Sequence, residues 1–378
     1  MNSESANAIY SEFVSWLAER SEIAWSSRIP AKSADCMPFP EDLSPILVEA
    51  LHRRGIDALY THQRKSYDLV RSGHDIIVVT PTASGKTLCY NLPILQTLLE
   101  MPNARALYLF PTKALSQDQQ SGLNEVMLAG SIGLPVNTYD GDTPSDIRSK
   151  ARTDGHIIIS NPDMLHAGIL PNHTKWAKFF SNLKFIVVDE LHAYRGIFGS
   201  HVASVIRRLL RIAKFYGSSP TFIFSSATIG NPQELAEHYI ERKVEIIEEN
   251  GAGSGEKILV CINPPLVDEV QGLRRSNALE AESVMLWLLQ KGVRTILFSR
   301  SRLQVELLAH YLNQKLENPY NRNYGIVVKP YRSGLLPSER REIERGLRNG
   351  TVHGVVSTNA LELGIDIGGL DAAVITGY

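Results

Sequence analysis

Short runs of uninterrupted apolar residues, each followed by a helical pattern, constrain this chain more than any other feature. "DIIVVT" (75–80), "RALYLF" (105–110), "HIIIS" (156–160), "FIVVDE" (185–190) and "TFIFSS" (221–226) carry no alternating polar positions. A strand with one wet face would alternate, so these runs predict strands covered on both faces. Amphipathic stretches such as 86–99 and 200–216 lie between them. That order predicts βαβ units and a parallel sheet flanked by helices, an α/β fold.

The Gly-rich run "NGAGSGEK" (250–257) interrupts the pattern, and "PP" follows at 264–265. The alternation then restarts with a helix over 277–291 and a strand "RTILFS" (294–299). A helix over 301–315, a strand "GIVVKPY" (325–331), a helix over 337–348 and strands "HGVVST" (353–358) and "AAVITG" (372–377) follow. We therefore expect a helical extension over 1–45, a first α/β domain over 46–250, a linker over 251–275 and a second α/β domain over 276–378. A chain of 378 residues is long enough for two or three domains.

The loop after the first buried strand reads "TPTASGKT" (80–87). The usual phosphate-cradling pattern is G-x-x-x-x-G-K-[ST]. Thr80 stands where the first glycine belongs, while Gly85, Lys86 and Thr87 keep the last three positions. Context supplies what the pattern lacks, because a strand ends where the loop begins and a helix starts where it ends. Backbone N–H groups of Thr82, Ala83, Ser84 and Gly85, with the helix dipole behind them, favour an anion. Lys86 can reach the outer phosphates of a nucleotide and the Thr87 hydroxyl can ligate Mg²⁺. The ordinary alternative is a strand-turn-helix with a lysine in its first turn. There the dipole disfavours a cation unless an anion neutralises it.

A second half-site follows about a hundred residues later. "FIVVDELH" ends a buried run with Asp189 and Glu190. Two adjacent carboxylates at such a place are costly without a cation. Asp189 is the candidate for holding Mg²⁺ and Glu190 for polarising an attacking water. With Lys86 these form the candidate catalytic set of a nucleotide hydrolase, whose substrate and cofactor would be ATP and Mg²⁺.

Composition removes some classes. No run of eighteen or more apolar residues exists, so no membrane-spanning helix is expected. The N-terminus "MNSESANAIYSEFVSWLAER" lacks the basic start and long apolar block of a signal peptide, and a cytoplasmic protein is expected. Cys36, Cys89 and Cys261 are scattered, which argues against a disulfide framework or a zinc site and for small buried thiols. Net charge is −1, so no global basic field announces nucleic acid; a local groove can still hold a strand.

The motifs taken together resemble the superfamily 2 helicases almost end to end. "YTHQ" (60–63) sits where that family reads adenine, and the Gln63 amide has both a donor and an acceptor for the base. "FPTKALSQDQ" (110–119), "ISNPDMLH" (159–166), "SSAT" (225–228), "ILFSRSR" (296–302), "YRSGLLPSERREIERGL" (331–347) and "STNALELGIDIG" (357–368) follow in the family's order. The "DELHAYRGIFGSHVA" segment is similar to the branch that contains mitomycin repair factor A rather than to plain DEAD-box RNA helicases. The resemblance implies two tandem RecA-like domains and an ATP-dependent DNA-repair translocase that moves 3′ to 5′ on single-stranded or tailed DNA. It implies that Tyr60, Gln63, Glu362 and Asp366 face the nucleotide. Thr112, Lys113, Ser160, Asn161, Arg300, Arg332 and Thr358 would grip the nucleic-acid backbone. Ser226 and Thr228 would bond toward Asp189 and Glu190 and couple hydrolysis to movement. Thr228 could equally cap the helix that begins "NPQEL".

The family continues past "AAVITGY" (372–378) into a motif whose arginines reach the outer phosphate. We therefore expect a second domain truncated at its C-terminal end, in a fragment of a longer helicase with impaired coupled hydrolysis. Three rivals stay open: a DEAD-box-like RNA helicase, a non-hydrolysing module that binds ATP or nucleic acid, and a double-strand translocase or remodeller that does not unwind. The aromatic helix "AIYSEFVSWLAERSEIAW" is expected to pack on the first domain.

Overall fold

The computed structural model describes residues 3–20, 22–317, 325–358, 361 and 369–376. The chain forms two compact units. One comprises residues 32–254, and the other joins residues 1–31 to residues 255–378. The units part at Ser254 and Gly255, inside the Gly-rich run.

Unit 32–254 is built on seven strands: β1 (Ile76–Val79), β2 (Arg105–Leu109), β3 (Val136–Thr138), β4 (Ile157–Ser160), β5 (Leu183–Val188), β6 (Thr221–Ser226) and β7 (Glu245–Ile247). All run parallel in the order β7-β1-β6-β5-β2-β4-β3. Side-chain parity explains why the runs are apolar throughout. Ile76, Val78, Phe185, Val187 and Ile223 enter one core, which also takes Tyr67, Leu92 and Leu123. Ile77, Val79, Ile186, Val188, Phe222 and Phe224 enter the opposite core, with Val202, Ile206 and Leu209. Helices α1 (Thr61–Arg71), α2 (Lys86–Glu100) and α3 (Lys113–Ala129) therefore cover one face, and α4 (Gly196–Phe215) covers the other.

Helix α2 carries Pro93 in its interior. Proline has no N–H, which orphans the carbonyl of Cys89 one turn earlier. The buried Ser66 hydroxyl donates to that carbonyl at 2.7 Å. The helix therefore continues through the proline, and it stays pinned to α1 beside the phosphate loop.

The second sheet contains β8 (Thr295–Phe298), β9 (Val328–Tyr331), β10 (Gly354–Ser357) and β11 (Ala372–Ile375), parallel in the order β9-β10-β8-β11. Helices Asn277–Gln290 and Arg302–Leu316 pack on one face and Pro337–Asn349 on the other. The N-terminal stretch does not pack on the first domain as expected. Its helix Ser3–Ala18 lays Phe13 and Trp16 on Trp287, with ring centroids 5.2 and 5.7 Å apart. Strand Glu22–Ile29 then pairs antiparallel with Lys257–Asn263, so the expected linker is part of a two-stranded ribbon. The cysteine expectation also needs correcting, since Cys89 is buried while Cys36 and Cys261 are exposed. Among the described residues no helix is long and apolar enough to cross a membrane.

Candidate nucleotide site

The phosphate loop leaves β1 and enters α2 through two left-handed residues, Ala83 (φ 62°) and Gly85 (φ 77°). Thr80, in the place of the first glycine, is buried and shares a hydrogen bond with the Ser84 hydroxyl at 2.7 Å. That bond staples the loop across its mouth, which a glycine could not do. Lys86 turns back over the loop, and its ammonium donates to the Thr80 carbonyl at 3.0 Å and the Ser226 carbonyl at 3.3 Å. The cation is thus held at the tips of two adjacent strands, β1 and β6.

Strand β5 ends beside them. Asp189 and Glu190 are both buried, and Glu190 adopts a left-handed conformation (φ 52°). The Glu190 N–H donates to Asp189 Oδ1 at 2.9 Å, and the Ser225 hydroxyl donates to the same oxygen. The Tyr90 hydroxyl donates to Asp189 Oδ2 at 3.5 Å and to Gln119 Oε1 at 3.0 Å, and Thr87 Oγ1 donates to Gln119 at 3.4 Å. Gln119 and Tyr90 thereby gather the two oxygen donors expected to meet a cation, Thr87 and Asp189. Burial, and then the neighbouring Glu190 carboxylate, push the Asp189 carboxyl up to about 7. Such a pair needs positive charge beside it to stay ionised.

Glu190 has an unsatisfied oxygen. His192 Nδ1 lies 3.2 Å from Glu190 Oε2, but that nitrogen accepts from the Ala227 N–H at 3.2 Å. It offers no proton, and Glu190 Oε2 stays buried without a hydrogen-bond donor. Burial also holds the His192 imidazole below its ordinary value. An orphaned carboxylate oxygen beside a buried aspartate can take a proton from water.

The "YTHQ" segment sets the other wall. Gln63 Oε1 accepts from the Tyr60 N–H at 3.0 Å while Nε2 donates to the Gly85 carbonyl at 2.9 Å. The amide is thereby held against the phosphate loop, with one donor and one acceptor site still unused for the adenine contact expected of it. The half-buried Tyr60 ring stacks on His62 at 5.7 Å. His62 was not expected from sequence; its Nε2 lies 3.0 Å from the Ser84 carbonyl.

The expected coupling residues stand at and just past the end of β6. Ser226 Oγ donates to the Ala227 carbonyl at 2.8 Å, and Thr228 is exposed. Thr228 does not cap the next helix either, because Asn231 holds that position.

The candidate backbone-gripping residues fall at strand ends. Thr112 caps α3 by accepting from Leu115 N–H at 3.3 Å, and Asn161 accepts from Met164 N–H at 2.8 Å. Lys113 pairs with Asp142 at 2.7 Å. Ser160 is buried and donates to the Tyr139 carbonyl, so it shapes a strand end rather than a surface. In the other unit, exposed Arg300 borders a recess lined by Ser276, Asn277, Gln304 and Thr376. Arg332 pairs with Glu306 at 2.6 Å, and the Thr358 N–H donates to the Tyr331 carbonyl at 3.2 Å. Glu362 and Asp366 lie outside the described residues.

Known proteins agree with this geometry. The DEAD/DEAH box helicase family matches residues 60–235, and the helicase conserved C-terminal domain matches residues 278–378. The chain is 51% identical over 367 residues to the ATP-dependent helicase YprA of Bacillus subtilis strain 168, covering 97% of this chain and 49% of that protein. It is 40% identical over 356 residues to the ATP-dependent helicase hrq1 of Schizosaccharomyces pombe, covering 92% of this chain and 34% of that protein. A crystal structure of the DUF1998 helicase MrfA bound to DNA and AMPPNP superposes with a TM-score of 0.92 at 51% identity, covering 97% of this chain and 51% of that one. This chain thus spans about half the length of YprA and MrfA. Its two α/β units are RecA-like helicase domains, and the chain belongs to the superfamily 2 helicases, in the branch of YprA and MrfA.

Proposed function

We propose that this chain is the two-domain ATP-driven motor of a DNA helicase or translocase. The observation that carries the reading is the convergence of Lys86, Asp189 and the orphaned Glu190 oxygen around the tip of β6. A triphosphate on the N–H groups of residues 82–87 would meet the Lys86 ammonium, which then exchanges two carbonyl contacts for phosphate oxygens. Mg²⁺, when bound, would neutralise phosphate charge, and Thr87 and Asp189 are the side chains that would hold it. Ser225 and Tyr90 fix the Asp189 carboxylate. Glu190 orients water and accepts its proton.

Contacts to a strand would come from Thr112, Lys113 and Asn161 in one unit and Arg300, Arg332 and Thr358 in the other. Lys113 and Arg332 each give up a carboxylate partner to reach phosphate, a sequence-blind and salt-dependent grip. The DNA in the MrfA crystal supports DNA as the partner. The family resemblance supports single-stranded or tailed DNA, 3′ to 5′ movement and a role in repair as the finer parts of this reading.

ATP hydrolysis measured with single-stranded DNA, with single-stranded RNA and without nucleic acid tests the reading. DNA should stimulate turnover more than RNA. Glu190→Gln should lower turnover about 10²–10⁴-fold and leave ATP affinity in place. Stimulation by RNA alone, or a Glu190→Gln variant with unchanged turnover, would overturn it.

A further inference from the structure

The chain passes between its two compact units twice, after Ala31 and after Ser254. Within unit 32–254 the two passages are zipped together. Lys32 and Ser254 exchange both backbone hydrogen bonds at 2.9 Å, and the Lys32 ammonium donates to the Asn250 carbonyl. The Asp35 N–H donates to the Gly251 carbonyl at 2.8 Å, and the Thr61 N–H donates to the Asp35 carbonyl at 3.0 Å. The packing around Gly251 leaves no room for a side chain. A Cβ there would overlap Thr61 Oγ1 and lie 2.7 Å from the Asp35 carbonyl oxygen.

One buried side chain joins this zipper to the phosphate loop. The Gly251 N–H donates to His62 Nδ1 at 3.2 Å. With Nδ1 accepting, Nε2 carries the proton and donates to the Ser84 carbonyl at 3.0 Å. His62 is 1% exposed, and no step of hydrolysis uses it. The peptide whose carbonyl it holds is the one whose N–H belongs to Gly85. A trans peptide is planar, so its carbonyl and N–H point opposite ways. Holding the carbonyl from one side aims the N–H to the other, where the loop would take a phosphate.

We propose that His62 is a positioning residue that ties the conformation of the nucleotide loop to the two chain passages between the units. The proposal rests on the nucleotide reading above. An imidazole bonded at both nitrogens moves as one body. A rotation of the Ser84–Gly85 peptide on nucleotide binding therefore reaches Gly251, and through Asp35 and Lys32 it reaches both passages.

Hydrogen exchange of the 378-residue chain with and without a non-hydrolysable ATP analogue and Mg²⁺ tests this. In the wild type, the analogue should slow exchange of peptides 80–88 and 248–255 together, each about tenfold, the size of one buried hydrogen bond. His62→Phe keeps an aromatic ring, a somewhat larger one, and loses both bonds. It should keep the protection at 80–88 and lose that at 248–255. His62→Gln, whose amide both donates and accepts, should restore part of it. Protection at 248–255 in His62→Phe equal to the wild type, or protection confined to 80–88 in the wild type, would overturn the proposal. If His62→Phe fails to fold by circular dichroism, the wild type and His62→Gln decide alone. No protection at 80–88 in the wild type would remove the nucleotide reading itself, and the proposal with it.

Discussion

The Ser225 hydroxyl donates to Asp189 Oδ1, while the hydroxyl of Ser226 beside it turns back to the Ala227 carbonyl, 2.8 Å away. Strand parity decides between the two. Ile223 shares a core with Phe185 and Val187, so Ser225 and Asp189 continue the same face of β6 and β5. Ser226 follows Phe222 and Phe224 toward the other face. Ser225→Ala should lower ATP turnover about tenfold, the cost of leaving a buried carboxylate short of one donor. Ser226→Ala should change it by less than about twofold. Steady-state hydrolysis of both variants checks this, and equal losses would show that the Ser225 bond carries no special weight.

Gly85 should tolerate no side chain. Its φ of 77° is left-handed, and an added Cβ would lie 2.6 Å from Gln63 Nε2. Gly85→Ala should cost roughly 1–2 kcal/mol from the backbone alone and break the Gln63 bond to the loop. Nucleotide affinity should fall about tenfold or more. Gln63→Ala in the same chain should recover part of the loss by removing the clash. Calorimetric titration of the single and double variants would show whether the two positions couple.

Much of the fold was legible because a strand buried on both faces leaves an unbroken apolar run. β1, β2, β4, β6 and β8 each lie within such a run, and β5 begins two residues before its own, at Leu183 and the exposed Lys184. The edge strands Val136–Thr138 and Glu245–Ile247 went unseen, since three residues half in solvent carry no period. The ribbon of Glu22–Ile29 and Lys257–Asn263 was hidden for another reason, as its two strands lie far apart in sequence and neither contains the signal for the other. At the site, Lys86, Thr87, Asp189 and Glu190 were legible from the strand-loop-helix context. His62, Tyr90 and Gln119 were not, because each works through a tertiary contact. Ser225 could have been found by continuing the parity of β6 past Ile223.

Histidine burial gives a pH dependence with a definite sign. Burial holds the imidazole of His62 below its ordinary value. The unfolded chain therefore binds this proton more readily than the folded one, and stability is lost as pH falls below about 6.5. Asp189, raised to about 7, acts in the opposite sense between the ordinary carboxylate range and neutrality. Comparing variants cancels the aspartate. Between pH 7.5 and 5.5 the melting temperature of the wild type should fall more than that of His62→Gln, and parallel curves would contradict this.

The N-terminal helix should depend on Trp287. That ring is buried against Phe13 and Trp16, and the Lys291 ammonium, over its face at 5.5 Å, also pairs with Glu12. Trp287→Ala should cost about 3 kcal/mol and free the helix. Limited proteolysis should then cut within residues 3–18 well before residues 32–254 are touched. Unchanged cleavage would mean the helix is held elsewhere.

The pairing of Glu22–Ile29 with Lys257–Asn263 has a consequence for how the polypeptide is made. Glu22 must wait for Asn263, 241 positions later, before their side chains can meet. At roughly 5–20 residues per second, the ribosome leaves this first strand and the aromatic helix before it without their partners for some 10–50 seconds. Through that interval unit 32–254 can fold on its own contiguous stretch. Phe13 and Trp16 stay without Trp287 until synthesis catches up, which leaves the nascent N-terminus exposed to off-path contacts that a chaperone would prevent.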